Sequence, residues 1–352
     1  MPKASALVVI DGSYGEGGGA LVRTALCMAA ITQQGVRIEN IRAGTRFVGI
    51  DSEDLTLLSA LKTVTAGEAV GASLGSTMLS FLPSRWPRGL TGALPAVRTD
   101  ANRVANAQVV LSCLLPVLGK TQMYSSISVE GETYGSHSLS YDYFANVTLQ
   151  AQRAFGLYAF PTLEAAGFGR ESEGEVSLDV EPSALHGIQW TDRGGLKSVQ
   201  AVVATSGVSA GVGDRAVSHL RKLAQTANLP FEAVHTPVPS RTSGVFLTTW
   251  ATYERGTGGG GAMGGRGIRV EILAQNAFAQ MFEWMSSDAT VDPFLADQIL
   301  LTAVLAEGES SFKISKLTQR FLTAVWVVKQ FTPIHITIRG SEGGPGVVTV
   351  RR

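Results

Sequence analysis

The stretch Asp11-Gly-Ser-Tyr-Gly-Glu-Gly-Gly-Gly-Ala-Leu-Val-Arg-Thr24 carries the densest chemistry in the chain. It joins a short apolar, strand-like run to a helical one. Such a turn leaves backbone N–H groups unpaired and aims the positive helix end at one point, which suits an anion. Gly15, Gly17, Gly18 and Gly19 would form the cradle, and Arg23, about two turns on, would meet a phosphate. Glu16 would hold a metal or a ribose hydroxyl. The plain alternative is a tight strand–helix connection that needs glycine. Glu53 and Asp54 open a later helical stretch. With Glu16 they could converge on a divalent cation or form an acid/base pair. The alternative is capping, with Asp51 or Ser52 at the helix start and the acids complementing its dipole.

Of five histidines, His137 stands out, in the polar loop Glu132-Thr-Tyr-Gly-Ser-His-Ser-Leu-Ser-Tyr-Asp142, as a low-ranking catalytic candidate. His219 falls on an amphipathic helix, His335 in a strand, and His186 and His235 in linker-like stretches. Cys27 and Cys113 lie in apolar segments without CxxC spacing, so they read as reduced, buried thiols in the cytoplasm. The run GTGGGGAMGGRG at 256–267 reads as a flexible hairpin tip or mobile loop. No helix with Lys-Ser or Lys-Thr follows it, which argues against a phosphate cradle.

These residues need a scaffold, and internal repetition supplies one. Three segments share an order of elements. The first has helices near 20–33 and 54–66 around a strand at 36–41, and closes with a hairpin to 78–83. The second has helices at 104–118, interrupted by Pro116, and at 143–155. A strand lies between them at 123–129, and its hairpin ends at 175–182. The third has helices at 294–306 and 320–331, with strands at 311–315, 335–340 and 346–352. Apolar residues recur at helical spacing, as in Leu55, Leu58 and Leu61, and alternate in strands, as in Val176, Leu178 and Val180. A unit with two amphipathic helices on one sheet cannot bury both helix faces alone, so the units must pack together. The third unit is delayed by roughly 100 residues. The expected fold is therefore α/β (α+β). Three two-helix, four-stranded units form a main domain at 1–185 and 277–352, and a small α/β domain is inserted at 186–276. The insert would hold the strands LKSVQAVVAT, GVFLTTWATYE and GIRVEIL and the helix GDRAVSHLRKLAQTA.

Composition narrows the function. Of 352 residues, 45% are hydrophobic and 16% charged, which excludes a disordered chain. Basic and acidic residues balance at 29 each, so a broad grip on a nucleic-acid backbone is not expected. The basic set is 21 Arg against 8 Lys, and arginine suits bidentate recognition of a single phosphate. The first residues read as a strand, not a signal peptide, and no 18-residue apolar run is present, so no membrane partner is expected.

Taken whole, Asp11 to Thr24 resembles the RNA 3'-terminal phosphate cyclase family, whose first strand runs into a DG-S-x-x-EGGG-Q-x-x-R-[ST] pattern. The resemblance continues at Ile41-Arg42-Ala43-Gly44, at Asp142-Tyr143 and at Leu295-Ala296-Asp297-Gln298-Ile299-Leu300-Leu301. It spans essentially the whole chain and is weakest in the insert. It implies a histidine that attacks the α-phosphate of ATP with help from a divalent metal (Mg or Mn). The AMP passes to an RNA 3'-phosphate, and the neighbouring 2'-hydroxyl closes a 2',3'-cyclic phosphate. It implies an RNA 3' end or another terminal-phosphate ligand as partner, with a homodimer as one candidate assembly. Arg42, Arg46, Phe294, Asp297 and Gln298 would join the glycine loop and Arg23 in holding the nucleotide or phosphate.

The chain departs from that pattern where the adenylate chemistry sits. The family histidine precedes a Leu-Leu-Thr-Asn stretch, and Arg320 takes its place in Thr318-Gln319-Arg320-Phe321-Leu322-Thr323-Ala324. Arginine stays protonated and cannot act as this nucleophile. Phe294 replaces a tyrosine or histidine, Glu53-Asp54 a Gln-His pair, Ser112 a glutamine, and Thr45 an arginine, with Arg46 following. Gly169-Arg-Glu-Ser-Glu-Gly174 stands where the family has Tyr-Pro-x-Gly-Gly-Gly. Three functions are therefore in play: ATP-dependent cyclisation at RNA 3'-phosphate ends, a binding or assembly factor without adenylyl transfer, and a different enzyme using a carboxylate-bound metal.

Overall fold

The computed structural model describes residues 7–135 and 140–352. The first repeat runs β1 (Leu7–Asp11), α1 (Gly19–Thr32), β2 (Gly35–Glu39), α2 (Ser52–Thr65), β3 (Glu68–Val70) and β4 (Leu79–Leu82). β1 and β2 pair in parallel across α1, and β4 lies antiparallel between β2 and β3. The second repeat has the same sheet order: β5 (Thr91–Leu94), β6 (Ser125–Gly131), β8 (Gly174–Val180), β7 (Ala159–Ala165). Its first helix is α3 (Ala107–Lys120), which runs on through Pro116 rather than breaking there. Its second is α4 (Tyr141–Tyr143), a π-helical turn at Phe144–Thr148, and α5 (Leu149–Ala154).

The third repeat is split. Its first strand, β9 (Gln189–Trp190), pairs in parallel with a strand more than a hundred residues later. Between them comes a unit with its own sheet: β10 (Leu196–Ser206), α6 (Ala210–Thr226), β11 (Phe231–Pro237), β12 (Gly244–Tyr253), β13 (Gly256–Met263) and α7 (Val270–Met285). The repeat then resumes with α8 (Pro293–Leu305), β14 (Glu309–Ile314), α9 (Gln319–Phe331), β15 (His335–Gly340) and β16 (Gly346–Arg351), in sheet order β9-β14-β16-β15. We propose that the inserted unit be drawn at 196–285, inside the third repeat rather than before it. A separate apolar cluster of Val199, Leu220, Leu247, Leu273 and Met281 supports that division.

Two local expectations for the insert are corrected. GIRVEIL is not a strand but the start of α7, whose buried Val270, Leu273, Ala274, Ala277, Phe278 and Met281 follow helical spacing. The glycine run from 256 is not a mobile tip but the strand β13, paired with β12 and largely buried. A helix lies directly on it. A Cβ at Gly258 would stand 2.7 Å from the Trp284 ring, and one at Gly260 would stand 2.8 Å from the Ala277 carbonyl. Glycine is needed there for close approach, not for mobility. His235 likewise lies in β11, where its Nε2 meets the Thr205 hydroxyl at 2.7 Å.

The repeats pack their helices face to face. α1 is buried on nearly every side, from Leu21 and Val22 to Ala30, against α2, α3 and α9. Such a helix must be apolar all round, which accounts for the low charge content. Asp292 fastens the insert to this core. Its Oδ1 accepts the Phe294 and Leu295 amides and so caps α8, while its Oδ2 accepts the Tyr143 hydroxyl at 2.6 Å and the Gly259 amide at 2.8 Å. Among the described residues, no helix is long and apolar enough to cross a membrane.

Candidate functional site

Five helices meet at one cavity of about 300 Å³. The start of α1 gives Gly19, Ala20, Arg23 and Thr24, α2 gives Glu53, and α3 gives Val109, Ser112 and Cys113. α8 adds Phe294, Asp297, Gln298, Leu300 and Leu301, and α9 adds Arg320 and Ala324. Arg42, Asp51 and Arg170 enter from loops. The wall is apolar toward Val109 and Leu300 and charged toward the arginines.

The glycine loop is pinned to α9. The Glu16 amide donates to Thr323 Oγ1 at 3.1 Å, and a Cβ on Gly15, at φ +61°, would collide with that oxygen. Gly19 has a second reason. Its missing Cβ would lie 2.4 Å from Arg23 Nη1 and 2.5 Å from Arg42 Nη2, so glycine gives these guanidinium groups room over the start of α1. Gly15, Gly17 and Gly18 shape the loop; among the loop glycines, Gly19 reaches the cavity wall.

Each inner arginine has a carboxylate partner. Asp54, fully buried, takes Arg42 Nη1 at 2.6 Å and Arg23 Nη1 at 3.3 Å. It also closes a reciprocal capping box with Asp51 at the start of α2. Arg42 reaches Asp51 at 2.6 Å and the Gly49 carbonyl at 2.6 Å, from a backbone at φ +52°. Arg320 Nε meets Asp297 Oδ2 at 2.6 Å, and its guanidinium lies 5.9 Å from the Phe294 ring centre. Arg170 stands 3.6 Å from Glu53.

Burial dominates the titration here. Taking a carboxylate out of water disfavours its charged form. Burial first, then the charge of Asp51, raises Glu53 to about 7 and Asp54 to about 6; arginine neighbours pull both back. Asp297 is also raised to about 6, by burial first and with the Glu16 charge adding to it, while Arg320 opposes. Its Oδ1 is buried without a hydrogen-bond partner among the described residues. The Cys113 thiol is pushed up by burial, although Arg23 pulls the other way.

The chain matches the model of the family described as RNA 3'-terminal phosphate cyclase over residues 14–338. It is 32% identical over 347 residues to the RNA 3'-terminal phosphate cyclase of Methylococcus capsulatus, covering 98% of this chain and 96% of the relative. The protein of that name from Gloeothece citriformis is 32% identical over 326 residues, covering 92% and 93%. That from Thermococcus gammatolerans is 32% identical over 351 residues, covering 98% of each. This chain belongs to the RNA 3'-terminal phosphate cyclase family.

Of the residues expected in the site, Gly19, Arg23, Arg42, Glu53, Phe294, Asp297, Gln298 and Arg320 line the cavity of this cyclase-family chain. Gln298 turns its amide inward, accepting from Thr148 and donating to the Phe294 carbonyl. Arg46 stays outside, over the Phe47 ring, with Arg103 near the same ring. His137 lies outside the described residues.

The structure does not gather Glu16, Glu53 and Asp54 into one cluster. Glu16 is exposed, whereas Glu53 and Asp54 are buried and committed to Asn106, Arg170, Arg23 and Arg42. Among the described residues, no group of three His, Cys, Asp or Glu is arranged to hold a metal ion. The capping alternative for Asp51 and Asp54 is the one observed.

Sequence reasoning missed Asp51 as an arginine partner, and it missed Cys113 and Arg170 in the wall. Arg170 gave the faintest signal, a lone cation in the Gly169–Gly174 loop, which only tertiary packing brings to α2.

Proposed function

We propose that this cyclase-family protein binds RNA 3'-phosphate ends in the five-helix cavity, with Arg320 holding the terminal phosphate instead of a covalent nucleotide. The observation that carries this reading is the Arg320–Asp297 pair at 2.6 Å in the first turn of α9, facing Arg23, Arg42 and Arg170 around one cavity. A guanidinium can form two parallel hydrogen bonds to a phosphate but offers no lone pair for attack on phosphorus. Among the described residues, no histidine lines the cavity, and the Cys113 thiol is held neutral by burial.

The residues fit a nucleotide. Val109, Leu300 and Leu301 form an apolar wall for a base, and Arg23 and Arg42 would face its phosphates. ATP, when bound, would supply an activated phosphoryl group. The chain's own residues orient the anion and shed water around it. Partial neutralisation of Glu53 near pH 7 releases Arg170 toward the ligand. Among the described residues, no cluster of carboxylates, histidines or cysteines fits a bound divalent metal.

A second reading, ATP-dependent cyclisation as the relatives' names state, is favoured by the family match over residues 14–338. One experiment separates the two. The protein is incubated with α-labelled ATP and magnesium, denatured, and assayed for covalent AMP, with His137→Ala in parallel. Affinity for matched 3'-phosphate and 3'-hydroxyl RNA is measured alongside. The binding reading expects no covalent AMP and a clear preference for the 3'-phosphate. Stoichiometric AMP that survives denaturation would overturn it in favour of cyclisation, and equal affinity for the two ends would overturn both.

A further inference from the structure

The inserted unit has a cavity of its own, about 620 Å³. Arg215, Arg266 and Arg269 line it above an apolar floor of Val212, Val245 and Leu273. Glu271 is the one acid on this wall, 3.4 Å from Arg215. Arg266 and Arg269 are exposed and form no ion pair or hydrogen bond among the described residues, although Arg269 and His219 add to the attraction that Arg215 exerts on Glu271. The contrast with the five-helix cavity is sharp, because every inner arginine there already holds a carboxylate. Three guanidinium groups against one carboxylate give this second cavity a positive field in a chain of zero net charge.

The two cavities adjoin across one loop. Arg170 lines the five-helix cavity. Its neighbour Gly169 comes within van der Waals reach of Met263, and Gly264 and Arg266, just beyond, line the insert cavity. On the other side, Phe168 packs against Gly244, also on the insert wall, and Ala166 bridges Ser240. The loop that carries Arg170 into the first cavity thus packs against the wall of the second.

We infer that the insert cavity is a second subsite, which takes the sugar–phosphate backbone and a base of the RNA strand upstream of its 3' end. This rests on the reading that the terminal phosphate occupies the five-helix cavity. Arg266 and Arg269 pair with phosphodiesters, and the Val212–Val245–Leu273 floor receives an unstacked base. Single-strand binding of this kind joins a cationic track to an apolar surface that accepts any base. The subsite would thus distinguish an oligonucleotide from a mononucleotide by length.

The test compares a ribonucleoside 3'-monophosphate with a 3'-phosphorylated oligoribonucleotide of roughly ten nucleotides, the scale of single-strand sites. Both are titrated against the full-length protein and its Arg266→Ala/Arg269→Ala variant at several salt concentrations. Both residues are exposed and neither forms an ion pair within 4 Å, so the variant should fold and melt like the parent. The expected result has four parts. The parent prefers the oligomer, and the variant loses about tenfold on it. The salt slope of the variant falls by about 1.4, at roughly 0.7 per single-strand phosphate contact. Mononucleotide affinity stays unchanged. An oligomer affinity untouched by the double substitution overturns the subsite while leaving the terminal-phosphate reading standing. So does a parent that binds both ligands equally well. A variant that loses the mononucleotide as well overturns the separation of the two subsites. A parent that binds neither ligand overturns the terminal-phosphate reading itself, and the subsite with it.

Discussion

Replacing Glu53 with Gln tests the electrostatics of the five-helix cavity. Glu53 is 4% exposed and has two weak partners, the Asn106 amide at 3.4 Å and Arg170 at 3.6 Å. Burial, then the charge of Asp51, lifts its pKa from 4.5 to about 7. The folded state therefore binds this proton more tightly than the unfolded chain. Below about pH 4.5 both states are protonated and the group is neutral in its effect. As pH rises from there to about 7, the folded state holds the extra proton, and stability falls. Above about 7 the full cost of a buried carboxylate is present. One pKa unit is worth about 1.4 kcal/mol, so the shift amounts to about 3 kcal/mol.

Glutamine keeps the acceptor oxygen for Asn106 and removes the charge. Urea unfolding of both proteins across pH 4.5 to 8.5 should therefore diverge. The Glu53→Gln variant should gain on the parent steadily with pH, reaching about 3 kcal/mol more at pH 8 than at pH 4.5. Affinity for a 3'-phosphate should weaken in the parent between pH 6 and 8, as the ionised Glu53 draws Arg170 back, and should stay flatter in the variant. A stability difference independent of pH would refute the argument. A variant that loses ground as pH rises would show that Glu53 is a stabilising ion, held by Arg170 more firmly than 3.6 Å suggests.

Two further substitutions probe the packing within the insert and its docking to the core. Gly260→Ala places a methyl 2.8 Å from the Ala277 carbonyl and 3.1 Å from the Met281 amide; both are backbone atoms of α7, so thermal unfolding should show a loss of roughly 1–3 kcal/mol. If the variant melts like the parent, α7 does not lie directly on β13. Asp292→Ala strips the acceptor from three backbone amides and the Tyr143 hydroxyl, and calorimetry should register a loss above about 3 kcal/mol. A loss below about 1 kcal/mol would mean that water replaces those bonds.

The repeat was legible because its helices and strands bury one face each, and burial writes a period into the sequence. Leu55, Leu58 and Leu61 marked α2, and Val176, Leu178 and Val180 marked β8. β5 and β9 left no such trace, since four residues and two residues are too few for a period. The glycines of β13 misled for a physical reason. Glycine signals mobility when a chain is exposed and close approach when it is covered, and only tertiary packing decides which, here by folding the next element, α7, back onto β13. The same limit hid the site. Spacing along the chain placed Arg23, Asp297 and Arg320 on helices, but their convergence depends on α1, α8 and α9 packing from different repeats.

The substitutions away from the family pattern are coupled through charge. The resemblance sets Glu53 and Asp54 against a Gln-His pair, and they bring two carboxylates to the arginines. It sets Arg320 against the family histidine, and Arg320 brings a cation that Asp297 holds. Asp54 alone, inserted beneath a neutral site, would be a buried anion; here it lies between Arg23 and Arg42. The result is a cavity whose guanidinium groups are pre-oriented but already partnered. A phosphate entering it would compete with Asp54, Asp297 and Glu53, and burial raises all three, Asp54 and Asp297 to about 6 and Glu53 to about 7. On the proposed reading, protonation of those carboxylates, rather than a surplus of fixed positive charge, would set how strongly the cavity draws an anion.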